Sequence, residues 1–340
     1  MTATMVRVLL IRHAQSMQNE FMEGVSARIA AGELEPSELN ATMRNAPPLH
    51  DAGADSPLTE LGEQQAELLG ERWAPLLEEK ARQGKLRVFC SPFLRTLQTA
   101  EPLMRRLHAA VPECKATLLP AIMERGALAA PEDMRKFDEI DRLKLRGAKL
   151  KEFMKSIEWQ PMGMSVDEMR TRFRWAESAK PDDASLPTFR TPAGEFALPP
   201  DDRPWWEAGY ESGKFADART SEVCRWLDEQ SREELPGDTV IVCVCHGGTI
   251  ASVTNVLLGA AVLSEAAYEE VDDISLDGIR NSSVTSLLLP SAAAIEHMPT
   301  HGGSAGSGRF RTKLELFNDT CHLGMALLAR FAEDNLSARL

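Results

Sequence analysis

Val6-Arg7-Val8-Leu9-Leu10-Ile11-Arg12-His13-Ala14-Gln15-Ser16 is the stretch whose reading decides the fold. The mainly apolar run from Val6 to Ile11 reads as a buried strand. It stops at a cation and an imidazole. Open α/β sheets place their ligands at the carboxyl ends of strands. Arg offers a bidentate fork that matches a phosphoryl group, and His serves as nucleophile or acid/base. An Arg-His pair equally describes a strand end reaching solvent, so the weight of the reading rests on the rest of the chain.

Three later segments repeat the pattern. Leu86 to Cys90 reads as a second strand, running into Ser91-Pro92-Phe93-Leu94-Arg95. Ser91 as N-cap and Pro92 at the first helical position predict a helix start there. Arg95 then lies near the positive end of a helix, which is unfavourable unless an anion sits between them. The alternative is an ordinary ion pair with Glu101. Lys115 to Pro120 reads as a third strand, and Glu124 just beyond it is a candidate acid, where carboxylates otherwise cap or are solvated. Thr239 to Cys245 is the most apolar strand pattern. It ends at His246-Gly247-Gly248, ahead of a helix from Ile250 to Leu258. Bare backbone N–H groups beside an imidazole suit an anion.

Between these segments the chain is less specific. Asn45 to Asp55 reads as a loop, and Thr59 as the N-cap of an amphipathic helix. From 127 to 217 the pattern changes: charged and helical from Pro131 to Trp159, then rich in Pro, Asp and Thr from Pro181 to Pro204. This reads as an insertion capping the site within a single domain, 1–340. Trp205, Trp206 and Tyr210 line a pocket or simply pack. A helix is expected over Thr220–Glu234, and strands over Ser283–Leu289 and Arg311–Phe317, flanking a glycine-rich loop from Ser291 to Gly308. His50, His108, His297, His301 and His322 follow no ligand spacing.

Composition sets the outer bounds. A chain of 340 residues with 43% apolar and 26% charged content fits a globular protein. The net charge of −13 argues against nucleic-acid and acidic-membrane partners, and requires any anion site to be locally basic. No apolar run is long enough to span a bilayer, and Met1 to Leu10 lacks the features of a signal peptide. The six scattered cysteines suggest neither a disulfide framework nor a zinc site, and a cytoplasmic location is expected.

Four strand ends thus offer Arg12-His13, Arg95, Glu124 and His246, the parts for phosphomonoester hydrolysis with no metal and no cofactor. Arg12, Arg95 and a protonated His246 supply positive charge over the phosphoryl oxygens. His13, if neutral, attacks phosphorus and forms a phosphohistidine. Glu124 protonates the leaving alkoxide and then activates water.

Here the chain resembles the histidine phosphatase superfamily, the phosphoglycerate mutase-like family. Leu10-Ile11-Arg12-His13-Ala14-Gln15-Ser16 with Asn19 resembles its nucleophile motif. Pro57-Leu58-Thr59, Gly62 and Gln65-Ala66 resemble a second signature, and Ser91-Pro92, Arg95 and Gln98-Thr99-Ala100 a third. Gly209-Tyr210-Glu211-Ser212 with Arg219, His246-Gly247-Gly248 and Asn281-Ser282-Ser283-Val284-Thr285 are similar to later ones. The resemblance implies a three-layer α/β/α fold with a mostly parallel sheet. It implies catalytic roles for His13, Glu124 and His246, and substrate-binding roles for Arg12, Asn19 and Arg95; Gly247 joins the binding residues through its bare backbone N–H. Ala14 stands where the family has Gly. The aromatic continuation that marks the mutases after Asn19 is absent, and the insertion is unlike theirs. The expectation is therefore a phosphatase acting on a small phosphorylated metabolite or a phosphoprotein. Phosphoglycerate mutase-type transfer and a catalytically weak phospho-ligand-binding module are the alternatives.

Overall fold

The computed structural model describes residues 5–35, 38, 42, 55–126, 142–144, 146–158, 161–178, 185–191, 194–196, 199, 201–207, 211–232, 238–258, 279–290 and 312–323. The expectations for Tyr210, for the loop from Ser291 to Gly308, and for His50, His297 and His301 lie outside these residues.

The strand β1 (Met5–Arg12) does end at the Arg-His pair. It is followed in chain order by β2 (Leu86–Cys90), β3 (Ala116–Leu118), β4 (Met162–Ser165), β5 (Ala176–Ser178), β6 (Arg190–Thr191), β7 (Gly194–Glu195), β8 (Pro204–Trp206), β9 (Val240–Cys245), β10 (Val284–Pro290) and β11 (Lys313–Asp319). Seven of these form one sheet in the order β11-β10-β1-β9-β2-β3-β5. The five strands from β1 to β5 in that order run parallel, and β10 and β11 are antiparallel at one edge. The uninterrupted apolar run of β9 fits its place: every residue is buried, because both faces of a central parallel strand are covered. Pairs such as β4–β8 and β6–β7 form small ribbons apart from the sheet. The stretch expected as a capping insertion, 127–217, also supplies β5, an edge strand of the main sheet.

The described helices are α1 (Met17–Ala30), α2 (Glu60–Arg82), α3 (Leu94–Ala110), α4 (Gly147–Ser156), α5 (Val166–Arg172), α6 (Gly213–Arg232) and α7 (Gly247–Leu257). α2 packs on α3, and α6 on α7. The β1-to-β2 and β2-to-β3 connections advance one way across the sheet, whereas the path to β9 returns. Right-handed crossovers then put the two helix pairs on opposite faces. Gly70 lets α2 approach α3 closely, since a Cβ there would lie 2.8 Å from the Pro102 backbone. None of the described helices is long and apolar enough to cross a membrane.

Two helix starts differ from the expectation. α6 begins at Gly213, a full turn and more before Thr220, so it carries Arg219 on its first half. α3 begins at Leu94, with Phe93 rather than Ser91 at the N-cap position and no side-chain cap from it. The Leu94 N–H is satisfied instead by Asp55 Oδ1 at 2.8 Å, from a distant loop. Local cap signals at Ser91-Pro92 lose here to two tertiary partners, Asp55 for the helix and His246 for the Ser91 hydroxyl.

Candidate active site

Because the five central strands are parallel, their carboxyl ends lie on one edge of the sheet. β9 sits between β1 and β2, with Arg12 opposite Cys245 and Cys90 opposite Val244. Arg12-His13, Ser91 and His246 therefore emerge side by side. His13 is tied through its backbone on both sides: its N–H donates to Cys245 O at 3.0 Å, and its carbonyl accepts from Ser282 N at 3.1 Å.

The turn after His13 is fastened by the residues of the other signatures. Ala14 N donates to Thr99 Oγ1 at 2.9 Å, Gln15 N to Gln65 Oε1 at 2.9 Å, and Leu58 N to Gln98 Oε1 at 2.9 Å. Thr59 N donates to Gln15 O at 3.0 Å, while Thr59 Oγ1 caps α2 by accepting from Gly62 N. Gln65 and Thr99 thus act as struts that fix the turn after His13, and Gln98 fixes Leu58 beside it.

The two imidazoles stand edge to face, with ring centroids 5.2 Å apart. His13 Nδ1 lies 2.8 Å from Ala14 O, a carbonyl that can only accept. Nδ1 therefore carries the hydrogen, and Nε2 keeps the lone pair. Burial, with Arg95 and Arg12 adding to it, holds the His13 pKa well below the usual histidine value. His246 Nδ1 lies 3.2 Å from Arg95 Nη2, which can only donate, and its Nε2 lies 2.9 Å from Ser91 Oγ. Burial, then Arg95 and His13, hold its pKa well below the usual value too. With a guanidinium facing its Nδ1, His246 is neutral in this arrangement, whereas the sequence reading has it protonated over a phosphoryl group.

Arg95 is almost fully buried on α3, stacked over Phe93 at 4.3 Å, and its Nη1 has no partner. Its expected alternative partner Glu101 accepts from the Trp175 indole N–H instead. Arg12 donates to Ile279 O, and its Nε is buried without a partner. Gly247 makes room for this side chain, because a Cβ there would lie 3.3 Å from Arg12 Nε. Gly247 and Gly248 are the first residues of α7 after His246, which supplies no side-chain cap, so the helix opens with N–H groups free of one.

Glu124 follows the turn Pro120–Ile122 after β3. Its Oε1 accepts from Arg125 N at 2.9 Å, and its Oε2 lies 3.9 Å from His246 Nδ1. Ligand-capable atoms of His13, Glu124 and His246 all lie within 4.8 Å of one another, the one such group among the described residues. Two imidazoles and a carboxylate are a donor set that a transition metal accepts. Two guanidiniums with unpartnered N–H groups beside it favour an anion instead. Asn19 is placed differently: its Oδ1 accepts from Ser16 N and Ser16 Oγ in the capping box of α1, leaving Nδ2 as its donor. Trp205 and Trp206 are fully buried and pack rather than line an opening, Trp205 against Phe93, whose ring meets His246 edge-on.

Two residues escape a reading of the sequence. Ser91 looks like a helix cap and instead binds His246. Asp55 is fully buried, its Oδ1 on Leu94 N and its Oδ2 without a partner. Burial pushes its pKa up to about 6 against the opposing charge of Arg95. The only signal for Asp55 is a lone carboxylate ahead of Ser56-Pro57, weak in any single sequence.

Comparison with known proteins bears on the family. No curated protein matches the chain. Solved structures that match include a phosphoglycerate mutase from Bacillus anthracis str. Sterne, at 14% identity over 94% of this chain and 96% of that one, with a TM-score of 0.42. A phosphoserine phosphatase from Entamoeba histolytica in complex with 3-phosphoglyceric acid matches at 16% identity over 94% and 100%, TM-score 0.41. A mycobacterial glucosyl-3-phosphoglycerate phosphatase matches at 17% identity over 92% and 98%, TM-score 0.40. The sequence model of the histidine phosphatase superfamily (branch 1) matches residues 8–179, half of the chain, a span that holds Arg12, His13, Arg95 and Glu124. By that match the chain belongs to the histidine phosphatase superfamily.

Proposed function

We propose that this chain is a phosphomonoester hydrolase that needs no metal and works through a phosphohistidine on His13. One observation carries the reading: His13 commits Nδ1 to Ala14 O and keeps its lone pair on Nε2, beside the buried and unpartnered N–H groups of Arg12 and Arg95. A neutral nucleophile and fixed positive charge around it are what in-line attack on a phosphoryl dianion requires.

The phosphoryl oxygens are held by Arg12 and Arg95, with the N–H groups of Gly247 and Gly248 and Asn19 Nδ2 as further donors. His13 Nε2 forms a bond to phosphorus as the bond to the alkoxide breaks. Glu124, carrying its proton, gives it to the departing oxygen. Water then attacks the phosphohistidine, Glu124 takes its proton, and Nε2 recovers its electron pair as phosphate leaves. Each proton transfer of this kind is worth roughly 10²–10⁴-fold. His246 starts neutral, and an adjacent dianion favours its protonation. A proton on Nδ1 ends its bond from Arg95 and turns Arg95 Nη2 toward the phosphoryl group. The substrate is a phosphomonoester of a small metabolite or of a protein, handled in the cytoplasm.

A rapid-quench experiment with an isotopically labelled phosphomonoester tests this. The expected result is an acid-labile, base-stable label on His13, absent from His13→Ala, whose phosphate release falls by about 10³-fold or more. Label passed to an added phosphate acceptor instead of water identifies a mutase-type transferase. Bound ester with no label and no turnover identifies a binding module.

A further inference from the structure

We propose that the buried pair Arg219–Glu211, together with Thr249, aims the Glu124 carboxylate at the leaving-group oxygen, so that these three are positioning residues for proton donation. The proposal rests on the reading of Glu124 as the general acid.

The segment from Leu119 to Gly126 has only one turn of 3₁₀ helix to hold it. Left to itself, such a segment gives a side chain no fixed direction. Arg219, on α6, spends its guanidinium on it. Nε and Nη2 donate to Glu211 Oε1 and Oε2, both at 2.7 Å, and both side chains are almost fully buried. The remaining reach of the fork goes to three backbone carbonyls: Ala121 at 2.8 Å and Met123 at 3.0 Å from Nη1, and Glu124 itself at 3.3 Å from Nη2. From the other side Thr249 Oγ1 donates to Met123 O at 2.6 Å. Glu211 N closes the segment by donating to Gly126 O at 3.2 Å.

Apart from the two bonds within the Arg219–Glu211 pair, every one of these bonds ends on the few residues around Glu124. Thr249 lies in the first turn of α7, three residues from His246. The acid segment is therefore tied to the same helix start that carries the second imidazole. A buried ion pair is a poor source of net stability, because desolvation offsets most of its attraction. Its geometry is another matter: a planar fork with five donors can hold one carboxylate and three carbonyls at once, which an ammonium cannot. Proton delivery needs the acid within about 3 Å of the departing oxygen, and a misplacement of about 1 Å costs roughly 10²-fold.

A pair that merely supports the fold and a pair that aims the acid differ in one readout, the dependence on the leaving group. An alkoxide needs its proton, whereas p-nitrophenolate leaves without one. The test measures the single-turnover phosphorylation of His13 by ethyl phosphate and by p-nitrophenyl phosphate in Arg219→Lys, Glu211→Gln and Thr249→Val. The alkyl-to-aryl rate ratio is expected to fall about tenfold in Arg219→Lys and Glu211→Gln and about threefold in Thr249→Val. It should fall no further when any of them is combined with Glu124→Gln. If Glu124→Gln lowers the ratio but these variants lose the same factor on both substrates, the positioning role is overturned and the general acid stands. If Glu124→Gln itself leaves the ratio unchanged, the assignment of the acid fails, and the positioning role with it. Should Arg219→Lys not fold, Thr249→Val decides the matter, since it removes one hydroxyl and keeps the branched shape.

Discussion

Asp55 shows how much of a site can rest on a residue that touches no substrate. One of its oxygens caps α3 at Leu94, and its charge faces Arg95, the next residue along. The same carboxylate is buried, with Oδ2 unpartnered, so burial raises its pKa from 3.8 to about 6. A group whose pKa is raised in the folded state lends stability below its unfolded pKa and loses it as the pH climbs through the folded one. A rise from 3.8 to about 6 corresponds to about 3 kcal/mol. Asn at this position keeps a capping oxygen and does not titrate. The stability advantage of the native chain over Asp55→Asn, read by urea unfolding, should therefore shrink by about 2 kcal/mol between pH 4.5 and 7.5. A constant difference, or one that grows with pH, contradicts the burial argument. At this scale the sequence offered Arg12, His13, Glu124 and His246 as candidates, because each stands just past a strand pattern that ends abruptly, and Arg95 because it lies near a helix start. It hid Asp55 and Ser91, because their partners lie 39 and 155 residues away.

The elements were legible wherever periodicity set them, as in β1, β9 and α2, and misjudged where a tertiary contact fixed an end, as in α3. Gly62 illustrates a third case, a signature residue whose reason is packing between elements. It lies in the first turn of α2, and a Cβ there would stand 2.0 Å from the backbone oxygen of Gln15, two residues after His13. Neither side can yield cheaply, since both contacts are backbone. Gly62→Ala should lower stability by about 1–3 kcal/mol and displace the turn after His13, the proposed nucleophile, so that kcat falls as well. Gly24, within α1, has nothing within 4 Å of such a Cβ. Gly24→Ala should instead stabilise by up to about 1 kcal/mol with kcat unchanged. Thermal melts and steady-state kinetics on both variants make the comparison, and equal effects at the two positions would sink it.

Over the whole molecule, charge is segregated. The chain carries a net −13, yet the cluster at the strand ends holds a buried Arg95 and a part-buried Arg12 facing imidazoles that burial keeps neutral. On the proposed mechanism those cations supply the charge a phosphoryl group needs, so phosphate release should persist within about twofold after exhaustive treatment with a chelator. Loss of activity that magnesium or zinc restores would assign the two histidines and Glu124 to a metal instead. The parallel sheet was expected from the family resemblance. Its strand order was not legible, since nothing local in Thr239 to Cys245 says that this run lies between the first two strands. That order has a consequence for assembly. A ribosome delivers β1 and β2 long before β9, so the nascent chain holds His13 and both arginines while the slot between those strands stands open. Two apolar strand edges must stay unpaired through some 150 residues of synthesis, the span between Cys90 and Val240. The last central strand then brings His246 beside His13 and closes the slot between the first two strands in a single event.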